Sequence, residues 1–379
     1  MRLTSPCGAL AGPLGTYPLF HLLLAMLHAL SLSAALLALT ALAPQNPAPA
    51  GPGNNLQPQP RGRLCSTSGV SHPMGFLPGA TVENFFVTSG DPDLRRFLIT
   101  VPTTYDPTRA YPVVFMLHGT GQTAGDSVTR LSWDEGADLL DYIAVFPEAL
   151  EYLLLDGTTR SKWATDNVIN NVADPTELPL ADDVLFLREL YHTLDAHLNI
   201  DCSRIYASGF SNGGAMVKTK IRTEMWDIFA ATSSAGGMGV QLSHPTEFWP
   251  NDLLSFRPHF EIVGNQDAKK KEYCVTLGDI ALGQNLPMAA ANIQATPCMW
   301  DNLTALAEQV GMVSTLFSSV ETGTMTQILW SDEGHSTGTN PREYRFRILQ
   351  GLTHEYPSGT NYSVEYVPII YDWMSQYTL

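Results

Sequence analysis

Apolar residues follow two patterns along this chain, and each pattern predicts a different kind of strand. The segments Thr81–Val87 and Arg95–Val101 alternate apolar with other residues, as half-buried antiparallel strands do. Tyr111–Leu117 is apolar almost throughout, which is typical of a strand buried on both faces of a parallel sheet. Similar runs predict six further strands at Tyr142–Phe146, Arg204–Ser208, Ile228–Thr232, Pro258–Val263, Met325–Trp330 and Tyr344–Leu349.

Helical spacing is clearest between Asp182 and Asn199, where apolar residues recur on one face of a 3.6-residue period. Two shorter helices are predicted at Ala215–Thr223 and Ile369–Tyr377. Because helices alternate with strands, the pattern predicts an α/β domain with a mostly parallel central sheet and helices on both faces. Residues 264–323 contain no clear strand and are expected to form an insertion near the active site.

Composition and charge restrict the class of protein. The chain has 379 residues, of which 44% are hydrophobic and 15% charged, as expected for a globular protein with a sizeable core. Its formal net charge is -16 with only 21 lysines and arginines, so no nucleic acid partner is expected. The acidity is interpreted as a contribution to solubility.

The N-terminus predicts export. Arg2 is the only lysine or arginine before the apolar run Leu19–Leu42, and Ala41-Leu42-Ala43 resembles a small-residue cleavage site. Residues 1–43 are therefore predicted to be a signal peptide or a membrane anchor, residues 44–64 a proline-rich linker, and residues 65–379 the catalytic domain. Either N-terminal reading places the protein outside the cytoplasm, secreted or at an extracytoplasmic surface.

Four cysteines in the predicted domain allow two disulfides in three pairings. They are Cys65, Cys202, Cys274 and Cys298. We favour the pair Cys274–Cys298 because both residues lie in the same insertion, and buried free thiols are the alternative.

A serine in a glycine-rich turn is the first candidate for chemistry. Gly209–Gly213 matches G-x-S-x-G between a predicted strand and a predicted helix, which is the context of a nucleophile elbow centred on Ser211. Gly334–Gly338 also matches, but it continues into a turn at Pro341 instead of a helix. Ser336 is therefore predicted to be an ordinary loop serine.

A serine hydroxyl needs a base, and the base needs a partner that orients it. The chain order serine, acid, histidine selects Asp267, which follows the strand Pro258–Val263, and His354, which follows Tyr344–Leu349. Asp332 is the alternative acid and His335 the alternative base. The main-chain N–H groups of Asn212 and Thr120 are the candidates for an oxyanion hole.

These motifs together resemble one family. The segments Leu117–Ala124, Asp182–Val184, Gly209–Met216, Gly264–Asp267 and Gly351–Pro357 occur in the order found in secreted polyhydroxybutyrate depolymerases and feruloyl and acetylxylan esterases, a group of α/β-hydrolases. The resemblance covers about residues 80–360. It implies an α/β-hydrolase fold and a triad of Ser211, Asp267 and His354.

The chain departs from that family beside two triad residues. Leu352-Thr353 stands where the family has glycines, and Ala268–Lys271 stands where it has Val-Pro, which leaves the substrate open. His118, Trp163 and Trp300 are candidates for substrate contacts. No metal motif or phosphate-binding loop occurs in the sequence, and no cofactor is expected.

The sequence thus predicts an exported serine hydrolase of carboxylic esters, with a polymeric or a small ester as substrate. Two alternatives remain: an acyltransferase on the same fold, and a non-catalytic surface-binding protein that keeps the fold.

Overall fold

The structure is a computed structural model that describes residues 69–90, 92–174, 180–237, 257–332 and 342–379. The predicted export segment, the linker, His335 and Ser336 lie outside the described residues. No helix among the described residues combines the length and apolar character needed to cross a bilayer.

The described strands are β1 (Thr81–Val87), β2 (Leu94–Thr100), β3 (Tyr111–Leu117), β4 (Ile143–Pro147), β5 (Glu151–Leu153), β6 (Thr159–Ser161), β7 (Ile200–Phe210), β8 (Ala231–Ala235), β9 (His259–Gly264), β10 (Ser318–Glu321), β11 (Met325–Ser331) and β12 (Glu343–Leu349). The described helices are α1 (Ala124–Leu131), α2 (Trp133–Leu140), α3 (Asp166–Ile169), α4 (Asp183–His197), α5 (Asn212–Met216), α6 (Arg222–Glu224), α7 (Ala268–Leu277), α8 (Ala290–Gln294), α9 (Pro297–Gln309) and α10 (Val367–Met374). A π-helical turn, Val217–Ile221, joins α5 to α6.

The strands of the described chain form one large sheet and one small hairpin. The large sheet has ten strands in the order β1-β2-β4-β3-β7-β8-β9-β12-β11-β10, and β5 pairs with β6. The strands from β4 to β12 in this order run parallel, whereas β1 and β2 on one side and β11 and β10 on the other pair antiparallel. This strand order, with an elbow after β7, confirms the predicted α/β-hydrolase fold.

The apolar run of β3 explains why helices cover both faces of the sheet. Every residue of β3 is buried, and alternate side chains point to opposite faces. Phe115 belongs to the hydrophobic cluster under α4, and Met116 belongs to the cluster under α2 and α10. A strand at this position therefore needs apolar residues at every position, as the sequence shows.

Among the predicted strands, the starts of two differ from the sequence-based prediction by three residues or more. The strand predicted at Ile228–Thr232 begins only at Ala231. Ile228 and Phe229 are buried, but they belong to the turn that precedes the strand. The strand before the elbow is longer than predicted and starts at Ile200. Apolar residues mark burial in both places, and burial alone does not separate a strand from the turn that feeds it.

The predicted insertion is mostly helical and has a hydrophobic cluster of its own. Helices α7, α8 and α9 pack with β11 and β12 at one end of the sheet. The insertion also contains the short exposed strand β10, which was not predicted from the sequence. Cys274 and Cys298 form a disulfide that joins α7 to α9, which confirms the favoured pairing. Cys202 is also disulfide-bonded.

Candidate active site

Ser211 lies in the sharp turn between β7 and α5. Its backbone has φ 52° and ψ -114°, a conformation that residues with a Cβ rarely adopt. The main-chain N–H of Ser211 donates to the carbonyl of Ala235 at the end of β8, at 2.9 Å. The turn is thus held by the neighbouring strand, and the hydroxyl points into a cleft.

The two glycines of the elbow are required by close contacts. A Cβ on Gly209 would lie 2.4 Å from the carbonyl oxygen of Gly213, so the strand and the helix pack backbone against backbone. A Cβ on Gly213 would lie 2.4 Å from the carbonyl oxygen of Leu117. The two glycines therefore allow the elbow to pack against the end of β3. The oxyanion loop, which contains the predicted donor Thr120, begins there.

We expect Gly213→Ala to lower the free energy of unfolding by about 3 kcal/mol, because the new methyl group collides with main-chain atoms that cannot move aside. Chemical denaturation followed by circular dichroism measures this. Gly323→Ala is the matched control, since nothing lies within 4 Å of a Cβ at that position. Equal midpoints for the two variants would mean that the elbow does not pack against β3 as described.

His354 connects Ser211 to Asp267. Its Nε2 lies 2.9 Å from Ser211 Oγ, and its Nδ1 lies 2.8 Å from Asp267 Oδ2, although these pairs are 143 and 87 residues apart along the chain. The alternative acid does not approach His354, because Asp332 accepts hydrogen bonds from the main chain and side chain of Arg342. The three residues selected by chain order are therefore brought together.

The loops that carry His354 and Asp267 are tied to each other. They follow β12 and β9, which are adjacent parallel strands. The main-chain N–H of Gln266 donates to Leu352 O at 3.0 Å, and that of Gly351 donates to Asn265 Oδ1 at 2.8 Å. These contacts set the position of the imidazole, and no sequence motif indicated the role of Asn265.

Asp267 has a second structural task at the start of α7. Its Oδ1 accepts hydrogen bonds from the main-chain N–H groups of Lys269 and Lys270 at 2.9 and 3.0 Å, as a helix N-cap does. The two oxygens of one carboxylate thus act separately, one on the helix and the other on His354.

Thr120 and Asn212 both line the cleft beside Ser211. Within the described ranges, neither main-chain N–H donates a hydrogen bond, so both are available to a ligand. The side chain of Asn212 has a different partner, since its Oδ1 accepts a hydrogen bond from the main-chain N–H of Trp163 at 2.7 Å. The main-chain N–H of Gly119 donates to Gln122 Oε1 at 2.8 Å and shapes the loop.

The structure corrects the three predicted substrate contacts. His118 and Trp163 are fully buried, and neither lines the cleft. His118 Nδ1 bonds Gly119 O at 2.8 Å, its Nε2 accepts from the N–H of Ala149 at 3.0 Å, and the Trp163 indole N–H donates to His118 O at 3.0 Å. Burial lowers the pKa of His118, so the imidazole stays neutral below the loop.

Trp300 lies away from the cleft altogether. It is part of α9 in the insertion, and its ring packs against Phe317 and Trp330 with centroids 5.2 and 5.7 Å away. Each of these aromatic residues is explained by packing, which an isolated tryptophan in a sequence does not reveal.

The cleft around Ser211 has a volume of about 600 Å³ and an open mouth. Its apolar lining includes Leu131, Leu154 and Phe210. Its charged lining was not predicted, because the residues come from four distant segments without a shared motif. These residues are Arg130, Asp156, Arg160, Lys162, Lys269 and Glu355. Among the described residues, no group of three or more metal-ligating side chains occurs.

Comparison with known proteins gives structural neighbours only. Neither a protein-family model nor the sequence of a curated protein matches the chain. An acetyl xylan esterase from Aspergillus awamori is similar in structure at 12% identity and a TM-score of 0.47, over 78% of this chain and 99% of that protein. A ferulic acid esterase is similar at 12% identity and a TM-score of 0.45, over 78% and 96% of the two chains.

A third neighbour is a poly(3-hydroxybutyrate) depolymerase from Bordetella parapertussis, at 16% identity and a TM-score of 0.40 over 73% of this chain and 84% of that one. The assignment of the fold rests on the strand order and the elbow of this chain. The three neighbours carry the names of the two esterase types and the depolymerase type that the sequence motifs resemble.

Proposed function

We propose that this protein is an exported serine hydrolase of carboxylic esters, with Ser211 as nucleophile, His354 as general base and Asp267 as the residue that orients His354. The observation that carries the proposal is the pair of contacts made by His354, 2.9 Å to the Ser211 hydroxyl and 2.8 Å to the Asp267 carboxylate. Both are hydrogen-bond distances, the first short enough for proton transfer from Ser211 and the second short enough for Asp267 to orient the imidazole.

Asp267 accepts the Nδ1–H of His354, so Nε2 carries the free electron pair. That nitrogen takes the proton of Ser211 as Oγ attacks the ester carbonyl, and the negative charge moves to the carbonyl oxygen. The unpaired N–H groups of Thr120 and Asn212 lie beside Ser211 and can donate to this oxygen. One such donor is worth about 3 kcal/mol in the transition state.

Collapse of this intermediate expels the alcohol, which takes the proton from His354, and leaves the acyl group on Ser211. Water then attacks the acyl-enzyme, with His354 again accepting the proton. The acid is released and Ser211 is restored. No step needs a metal or an organic cofactor.

The character of the cleft favours hydrolysis over acyl transfer. A transferase must keep water away from the acyl-enzyme, whereas this cleft is open and six charged side chains line it. Such a surface stays hydrated. The non-catalytic alternative does not account for the two contacts of His354 or for the strained backbone of Ser211.

Export rests on the apolar segment of residues 1–43, which lies outside the described residues. The disulfide between Cys274 and Cys298 supports it, because disulfides persist mainly in oxidising compartments. Whether that segment is cleaved or retained as an anchor is tested by N-terminal sequencing of the exported protein.

A panel of esters tests the proposed reaction. We expect the purified protein to hydrolyse p-nitrophenyl esters and to act on at least one of methyl ferulate, acetylated xylan and polyhydroxybutyrate film. A fluorophosphonate probe should label Ser211, as peptide mapping by mass spectrometry would report. Absence of turnover on every ester together with an unlabelled Ser211 would overturn the proposal. Formation of a new ester with an added alcohol, at the expense of free acid, would instead indicate the acyltransferase.

A further inference from the structure

Positive side chains gather around the cleft of a strongly acidic protein. The chain has a formal net charge of -16, yet the cleft is lined by Arg130, Arg160, Lys162 and Lys269 against the two carboxylates of Asp156 and Glu355. The residues that line the cleft therefore carry a net positive charge, opposite in sign to the net charge of the whole chain. A cleft of one charge with low-dielectric walls concentrates its field and attracts the opposite charge.

The hairpin β5–β6 brings two of these cations to the cleft. It is bonded to the oxyanion loop, since the N–H of Gly121 donates to Ser161 O at 2.9 Å and the Ser161 hydroxyl donates to Gln122 O at 2.6 Å. Arg160 lies in β6, and Lys162 directly follows its last residue, Ser161. The main-chain N–H of Lys162 donates to Leu150 O at 2.9 Å, and both cations line the cleft.

Neither cation is neutralised by a close partner. Among the described residues, no carboxylate forms an ion pair with Arg160, Lys162 or Arg130. The Arg160 guanidinium donates through Nε to the Thr158 hydroxyl at 2.9 Å, which leaves its terminal nitrogens for a ligand. Lys269 differs, because its Nζ lies 3.7 Å from Glu272 on the outer face of α7.

Asp156, one of the two carboxylates that line the cleft, is hydrogen-bonded within the hairpin turn. Asp156 Oδ1 accepts from the N–H and the hydroxyl of Thr158, at 2.9 and 2.6 Å. These bonds lower the pKa of Asp156, and the charges of Arg160 and Lys162 lower it further. Burial lowers the pKa of Lys162 and the charge of Arg160 adds to this effect, while the charge of Asp156 opposes it without forming an ion pair.

We propose that the cleft selects esters that carry a free carboxylate, which Arg160 and Lys162 bind while Ser211 attacks the ester carbonyl. This inference deepens the proposed ester hydrolase and rests on it. An arginine fork suits a carboxylate because its two parallel N–H groups match the two oxygens. The carboxylate can belong to the acyl part, as in a monoester of a dicarboxylic acid, or to the alcohol part, as in an acylated hydroxy acid.

Two substrate pairs separate these sources. The p-nitrophenyl monoester of adipic acid and its methyl-capped form place the charge on the acyl side. para-Acetoxybenzoic acid and its methyl ester form the second pair, in which the charge lies on the alcohol side. The readout is the ratio of kcat/KM for the charged member to that for the neutral member, after subtraction of the rate without enzyme.

We expect this ratio to be about 10 in at least one pair, the gain from one charge-assisted contact. High salt should lower the ratio, because the attraction acts partly through solvent. Arg160→Gln, Lys162→Gln and the double variant should bring it close to 1. Lys271→Gln is the matched control, because Lys271 bonds Asn285 on the exposed side of α7 and does not line the cleft.

A second readout does not require turnover. Calorimetric titration of the Ser211→Ala protein with adipate should show binding that weakens at least tenfold when Arg160→Gln and Lys162→Gln are added. A ratio near or below 1 in both pairs, or a raised ratio that survives the double variant, overturns the inference even if neutral esters are hydrolysed. Failure of all esters with adipate binding retained overturns the hydrolase proposal and leaves the carboxylate site standing.

Discussion

Ser211→Ala is expected to lower kcat on the order of 10⁴-fold or more, with the fold retained. The methyl group leaves the oxyanion donors and the cleft in place but removes the atom that forms the acyl-enzyme. Residual turnover should come from water activated by His354 and from the electrostatic environment alone. Initial rates on a p-nitrophenyl ester measure the loss, and circular dichroism verifies the fold.

Ser336→Ala is the control for this experiment, since Ser336 lies in the second G-x-S-x-G match of the sequence. Its activity should equal that of the unmodified protein. An active Ser211→Ala protein, or an inactive Ser336→Ala protein, would remove Ser211 from the role of nucleophile.

Asp267→Asn is expected to have the second largest effect, about 10⁴-fold on kcat. The asparagine oxygen can replace Oδ1 as the cap of α7, where Lys269 and Lys270 donate. Its amide group then takes the place of Oδ2 and donates to Nδ1 of His354. The imidazole must carry its proton on Nε2, and this nitrogen can no longer accept the proton of Ser211.

Comparison with Asp267→Ala separates the two tasks of this carboxylate. Asparagine is a good N-cap, so Asp267→Asn should leave the free energy of unfolding nearly unchanged, whereas Asp267→Ala should lower it by about 1 kcal/mol. Both variants should lose activity. If Asp267→Asn retains near-normal kcat, Asp267 is only the cap of α7 and another group orients His354.

The buried parallel strands were the most predictable part of the fold. The uniformly apolar run of β3 reflects burial on both faces, and a local pattern of this kind depends little on the rest of the chain. The start of β8 was predicted too early, because Ile228 and Phe229 are buried without belonging to the strand. The apolar pattern indicates which side chains are buried. Whether a residue belongs to a strand depends on pairing with a neighbour that lies elsewhere in the sequence.

The tryptophans show the same limit at the site. Trp163 and Trp300 were candidates for substrate contacts, yet the ring of Trp163 is buried with its indole N–H bonded to His118 O, and the ring of Trp300 packs in the insertion. A large aromatic side chain fits a core and a binding surface equally well by its own chemistry, so only its surroundings decide between them.

By itself, the sequence determined the alternation of strands and helices, the glycine elbow around Ser211, and the order in which Asp267 and His354 follow it. These features can be recognised in the sequence because each is a pattern of residue types at a fixed spacing or in a fixed chain order. Only the tertiary structure decided which acid meets His354, which aromatic residues line the cleft, and that Arg160 and Lys162 line the same cleft as Ser211. Those relations depend on how strands that are distant in sequence pair. Many residues contribute to the free energy of this pairing, so no single motif predicts it.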